Sequence, residues 1–293
     1  MLAKIRKTQN RNWLARHQDE LLLWLLRVLS AIAGVIILLI LVFLGKESLP
    51  VLQAVGIEPF FSDARWNPNE GLYNLVPMLW GTVLVMLGSV LLATPLGIIS
   101  ALFCHFYAPS AIASFYRKLI ELLAGIPSVV YGFWGLVVLV PLINRLKPPG
   151  TSLLAGIFVL TLMILPTITL VADASFAQIP QEYLLGSEAM GLSTWGTISQ
   201  IVIPTAKSGL LAGVILQIGR AIGETMAVLM VCGNVVQVPD NVFAPVRTLT
   251  ANIALEMAYA LDLHRSALFV SGLLLLGMIA LLVIATSLGE RYL

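Results

Sequence analysis

Of the 293 residues, 59% are hydrophobic and only 11% are charged, whereas soluble domains carry roughly a quarter charged residues, so lipid is the solvent for most of this chain. A formal net charge of +2 is too small to point to a nucleic-acid partner. Cys104 and Cys232 lie far apart inside apolar runs, which excludes a disulfide framework or thiolate metal site and leaves two small buried hydrophobes.

Basic residues Lys4, Arg6, Lys7, Arg11 and Arg16 precede an apolar run that begins at Leu21. That run is too long for a signal-peptide core and lacks a cleavage site, so it is a first spanning helix. At roughly 20 apolar residues per crossing, the sequence predicts an all-α integral membrane protein with six spans: 21–45, 77–104, 119–144, 152–175, 207–233 and 266–289. Between the first two, Trp66-Asn67-Pro68-Asn69-Glu70-Gly71 cannot continue a helix. Trp66, Tyr73 and Trp80 either anchor at the membrane interface or belong to a plain linker. Gly125 and Pro127 interrupt the third span, predicting one broken or kinked helix. With the N-terminus inside, nine Lys and Arg residues fall on inner segments and six on outer loops. This bias puts both termini in the cytoplasm, with 46–76 and 234–265 outside and 176–206 inside.

The inner loop 176–206 reads as a short helix after Pro180, a break at Gly191, a second short helix, and re-entry led by Pro204. Leu184, Leu185, Ala189 and Met190 form a partial apolar stripe, suited to the membrane surface or to a groove on a partner.

The fifth span carries charge. Arg220 lies roughly 20 Å along the helix from Lys207, which puts it and Glu224 near the bilayer middle, where an ionised side chain costs on the order of 3 kcal/mol or more. On one continuous helix, Gly209, Gly213, Gln217, Arg220 and Glu224 share an arc of roughly 80°. Gly219 and Gly223 make a small-residue pair on the flank, suited to close helix approach. Two readings follow: an internal Arg–Glu pair that neutralises two buried charges, or a positive site for a passing oxyanion that Glu224 keeps from binding too tightly. No phosphate-binding loop or clustered-histidine motif occurs, and His17, His105 and His264 are scattered, as surface or interface residues are. No nucleophile–base pair stands out. A secondary transporter with Glu224 as proton carrier remains the rival from a different class.

Two stretches resemble known families. Gly191, nine further residues, then Ile201, Ile203 and Pro204 resemble the EAA loop of ABC importer permeases. Leu185-Gly186-Ser187 stand where that motif begins with Glu-Ala-Ala, with Glu182 or Glu188 as a replacement acid. Gly219-Arg220-Ala221-Ile222-Gly223-Glu224-Thr225-Met226-Ala227-Val228 resembles the signature of PstC-type phosphate permeases. Glu121 to Gly132, and Trp66-x-Pro68 followed by Gly81-Thr82, are similar to that family too. The resemblance implies a type I ABC importer permease fold in a bacterial inner membrane. It divides the chain into a cytoplasmic segment 1–20, a first span 21–45, a periplasmic segment 46–76 and a core 77–289. It implies a substrate path through Arg220 and Glu224, with Gln217 on the same face. A coupling loop would use Leu185, Gly186, Ser187, Glu188, Gly191, Ile201 and Pro204. The implied partners are a homologous PstA-type permease, a PstB-type ATPase dimer carrying ATP and Mg, a PstS-type phosphate-binding protein, and lipid. No cofactor or metal is expected on this chain itself. Sulfate and molybdate permeases share the Arg-x-x-Gly-Glu core and stay open as alternative cargoes.

Overall fold

The computed structural model describes the backbone of residues 2–290 and the side chains of residues 20–284. The N-terminal basic side chains, His17 and Arg291 lie outside the described side chains. In chain order the helices are α1 (Leu2–Val55), α2 (Pro59–Ser62), α3 (Val76–Leu102), α4 (Ser110–Ala124), α5 (Ser128–Trp134), α6 (Val140–Leu146) and α7 (Leu153–Ala177). They continue with α8 (Gln181–Ala189), α9 (Thr194–Thr197), α10 (Ile203–Gly223), α11 (Met226–Val231), α12 (Leu249–Glu256) and α13 (Asp262–Glu290). A small antiparallel hairpin, β1 (Trp66–Asn67) with β2 (Leu72–Tyr73), lies between α2 and α3.

Among the described residues, six helical stretches are long and apolar enough to cross a membrane: Glu20–Val55, Val76–Tyr107, Ser128–Leu146, Leu153–Ala177, Thr194–Gly223 and Asp262–Ile284. The number agrees with the sequence; several boundaries do not. Helix α1 is continuous with the N-terminal segment and runs past 45 to Val55, because its last turns have something to bury. Val51 is fully buried and donates its N–H to Ser266 Oγ at 3.2 Å, while that hydroxyl donates to the Glu47 carbonyl at 2.6 Å.

The rest of 46–76 is ordered against the bundle and is neither linker nor interface anchor. Pro68–Glu70 form a tight turn and Gly71 closes it at φ 76°, a left-handed conformation that glycine tolerates without steric cost. This folds Trp66 opposite Tyr73, and both are buried with Phe60, Leu75 and Leu249, whereas Trp80 stays exposed on α3.

Three crossings contain a single π turn, at Phe103–Tyr107, Gly135–Leu139 and Ile198–Val202. Each is followed two residues later by a proline: Pro109, Pro141 and Pro204. Proline has no N–H, and its ring clashes with the carbonyl four residues back. The preceding residue therefore bonds one residue further: Ala108 to the Phe103 carbonyl, Val140 to Gly135, and Ile203 to Ile198. At Gly125–Pro127 the interruption is a full break. Residues 119–124 belong to α4, the crossing starts at Ser128, and the Tyr131 hydroxyl bridges the gap by donating to the Leu123 carbonyl at 2.8 Å.

The central core packs α3, α7, α10 and α11. Glycines set the closest approaches. A Cβ on Gly97 would meet Ile168 at 2.6 Å, and one on Gly213 would meet Val171 at 2.7 Å. Gly219 and Gly223, expected to pack a neighbouring helix, have nothing within 4 Å of such a Cβ; the seam onto α7 is instead made by Gly209 and Gly213. Cys104 and Cys232 are both buried and unpaired with each other.

Candidate functional site

The expected continuous helix 207–233 does not exist as such. The crossing begins at Thr194 and α10 stops at Gly223. Glu224 is extended at φ −68°, ψ 128°, and α11 starts two residues later. The run Ala221-Ile222-Gly223-Glu224-Thr225 accounts for the stop: Gly223 lowers helix propensity, and the Glu224 carboxylate accepts the Ala227 N–H at 3.1 Å. A carboxylate at a helix N-terminus satisfies an orphan donor and meets the positive end of the dipole. Glu224 is thus off the face that carries Gln217, and its side chain is committed to α11.

Arg220 occupies the last turn of α10 and is exposed on the isolated chain. Among the described residues it has no hydrogen-bond or ion-pair partner. The internal Arg220–Glu224 pair is therefore not formed. Beside Arg220 opens a groove of about 560 Å³ whose lining is mostly aliphatic, from Ile215 and Leu216 of α10 and Ile279 and Leu282 of α13, with Thr167, Gln217 and Arg220 as its polar members. Thr167 lies near the middle of α7, so the groove sits at mid-bundle. Gln217 is only 1% exposed, and its Oε1 has no partner among the described residues. Buried amide atoms are rarely left so. Arg220 and Gln217 are brought together as the sequence implied; Glu224 stands on the adjoining break.

At one end of the bundle, α8 is fastened to the crossing that follows it. Ser187 is buried; its hydroxyl donates to the Leu184 carbonyl at 2.7 Å and accepts from Thr197 Oγ1 at 3.0 Å. Leu184 packs against Phe176, Ile179, Ile198 and Val202, with Ile203 beside it. Gly191 turns the chain at φ 74°. Leu185, Gly186, Glu188 and Pro204 are exposed and Ile201 is half-buried. Of the expected apolar stripe only Leu184 turns inward; Leu185 and Met190 are exposed, as are Tyr183 and Trp195. The expected second short helix is the first turn of the fifth crossing.

Two carboxylate clusters had no signal in sequence spacing, since each depends on a partner far off in the chain: Asp173 is 56 residues from Arg117, and Trp66 is 190 residues from Glu256. Asp173 accepts two bonds from Arg117, at 2.7 and 3.0 Å, with His105 Nδ1 at 3.3 Å. That hydrogen bond holds the Arg117 guanidinium charged above its usual range. At the opposite end of the bundle, Glu256 is 7% exposed and meets Arg247 at 2.7 Å, Trp66 Nε1 at 2.9 Å and His264 Nε2 at 2.9 Å. His105 and His264 are thus partnered members of packed clusters rather than free surface residues. Among the described residues no group of three metal-ligating side chains could hold an ion.

A family model for the binding-protein-dependent transport system inner membrane component matches residues 93–292. The chain is 41% identical over 247 residues to a probable ABC transporter permease protein, YqgH, of Bacillus subtilis, covering 82% of this chain and 80% of that protein. It is 32% identical over 297 residues to the phosphate transport system permease protein PstC of Haemophilus influenzae, covering 94% and 92%. Over 294 residues it is 31% identical to a probable phosphate transport system permease protein PstC of Methanocaldococcus jannaschii, covering 92% of each. In fold, it superposes on a chain of the inward-facing MetNI methionine ABC transporter with a TM-score of 0.61 at 18% identity, covering 74% of this chain and 95% of that one.

Proposed function

The chain belongs to the family of binding-protein-dependent transport system inner membrane components, and on that premise we propose that it forms the PstC-type half of a phosphate path in an ATP-driven importer. It is a multi-pass inner-membrane permease subunit with the fold of type I ABC importer permeases. The observation that carries the proposal is Arg220, a guanidinium at mid-bundle with no ion-pair partner among the described residues. A cation at that depth costs on the order of 3 kcal/mol unless it faces a wet path or an anion. An oxyanion entering beside the Arg220 groove supplies the missing charge. Glu224, spent on capping α11, does not neutralise Arg220; its negative charge nearby keeps the hold weak enough for release.

In this reading both termini face the cytoplasm, α8 docks through Tyr183, Leu185 and Met190 into a separate ATPase dimer that carries ATP and Mg, and a homologous PstA-type permease completes the path against the exposed Arg220 face. A PstS-type protein delivers phosphate to the opposite end. Closure of the ATPases then exposes the path to each side in turn. Reconstitution in liposomes with these partners tests the cargo: phosphate-loaded binding protein should stimulate ATP hydrolysis and uptake, and sulfate- or molybdate-loaded proteins should not. Equal stimulation by sulfate would overturn the phosphate assignment. Gradient-driven phosphate uptake by this polypeptide without an ATPase would sink the ATP-driven reading in favour of a secondary transporter.

A further inference from the structure

We propose that Thr250 is a positioning residue for the anion site, holding the helix break at Glu224, and that α12 links this hold to the hairpin segment through Glu256. The proposal rests on the phosphate-path reading above for its transport consequence, but its geometry does not depend on the cargo. Glu224 lies between two helices, so its carbonyl has no helical partner. Thr250 Oγ1 supplies one, donating to the Glu224 carbonyl at 2.8 Å.

The protons around Thr250 are fully assigned by this bond. With its own proton given to Glu224, Thr250 accepts from Thr248 Oγ1 at 3.0 Å, and Thr248 in turn accepts the Ala251 N–H at 3.2 Å. The Leu249 N–H is donated to Thr82 Oγ1 of α3 at 3.0 Å, and that hydroxyl donates to the Met78 carbonyl at 2.8 Å. The start of α12 is therefore pinned both to the core and to the break. Its far end is Glu256, one helix length of about 12 Å away. There Trp66 from the hairpin, Arg247 and His264 converge on a single buried carboxylate. A helix with both ends fixed in this way transmits displacement as a rigid element. Movement of the hairpin reaches the backbone of Glu224, and with it the carboxylate that caps α11 beside Arg220.

The test uses the complete transporter in liposomes, with Thr250→Val to remove the donor and Thr250→Ser to restore it. Two readouts are taken: phosphate uptake driven by loaded binding protein, and hydrogen exchange at the Ala227 amide in the absence of anion. Thr250→Val should speed exchange at Ala227 and lower maximal uptake by about tenfold, the scale of one lost hydrogen bond, with the KM for loaded binding protein unchanged. Thr250→Ser should recover both. Wild-type uptake and exchange in Thr250→Val would overturn the proposal, as would a loss that Thr250→Ser does not rescue. Because the exchange readout contains no anion, a transporter that moves a different cargo would sink the phosphate reading and leave this result standing.

Discussion

At the end carrying α8, a helix with exposed Tyr183, Leu185 and Met190 is tied down by one buried hydroxyl pair, Ser187–Thr197, and by Leu184. At the opposite end, three side chains from three segments close on the buried Glu256 carboxylate, and the hairpin beneath it is sealed by Phe60, Trp66 and Tyr73. One end presents a surface and the other completes itself. A mobile partner such as an ATPase needs the first arrangement, whose fastening costs little to shift. The second holds the hairpin, α12 and α13 in one register. Between them, the α7–α10 seam carries Gln217 and Arg220 on a helix whose lower turns are locked by Gly209 and Gly213.

Breaking the closed end should have the largest effect. Glu256→Ala leaves the Arg247 guanidinium without its carboxylate, which for a buried pair costs about 3–5 kcal/mol; thermal unfolding of the detergent-solubilised complex should show it. Glu256→Gln keeps an acceptor for Trp66 and should lose less. Equal stability of the alanine variant and wild type would mean the two ends are not built differently. Next is the seam. Gly213→Leu drives a side chain into Val171 and should cost about 1–3 kcal/mol by overpacking, read as a lower unfolding midpoint together with lower uptake. The smallest effect belongs to the open end: Ser187→Ala removes one hydroxyl and should cost about 1 kcal/mol, seen as faster hydrogen exchange across 181–190 with the midpoint nearly unchanged. A midpoint drop as large as that of Glu256→Ala would erase the contrast.

Much of the architecture was legible because lipid imposes long apolar runs, and six such runs are visible without a structure. The loop at Gly191 and Pro204 was legible because glycine and proline act locally. The π turns were hidden, although each is signalled by Pro109, Pro141 or Pro204: proline tells that a bond is lost, not whether the helix widens, kinks or stops. Helical arithmetic placed Gln217 and Arg220 on one side correctly but carried Glu224 along with them. It assumed the helix continued through Gly223, and the capping bond to Ala227 that rewards the stop is not a spacing pattern. The Glu256 cluster joins Trp66 to residues 247–264, and such convergence is a property of the folded chain alone.

The central claim is that Arg220 serves the anion rather than the fold, and Arg220→Gln in the reconstituted transporter tests it most directly. Because Arg220 has no partner among the described residues, the account predicts that the variant assembles with its partners and unfolds at the wild-type temperature while phosphate uptake is lost. Normal uptake, or a loss explained by failure of the complex to assemble, would contradict it.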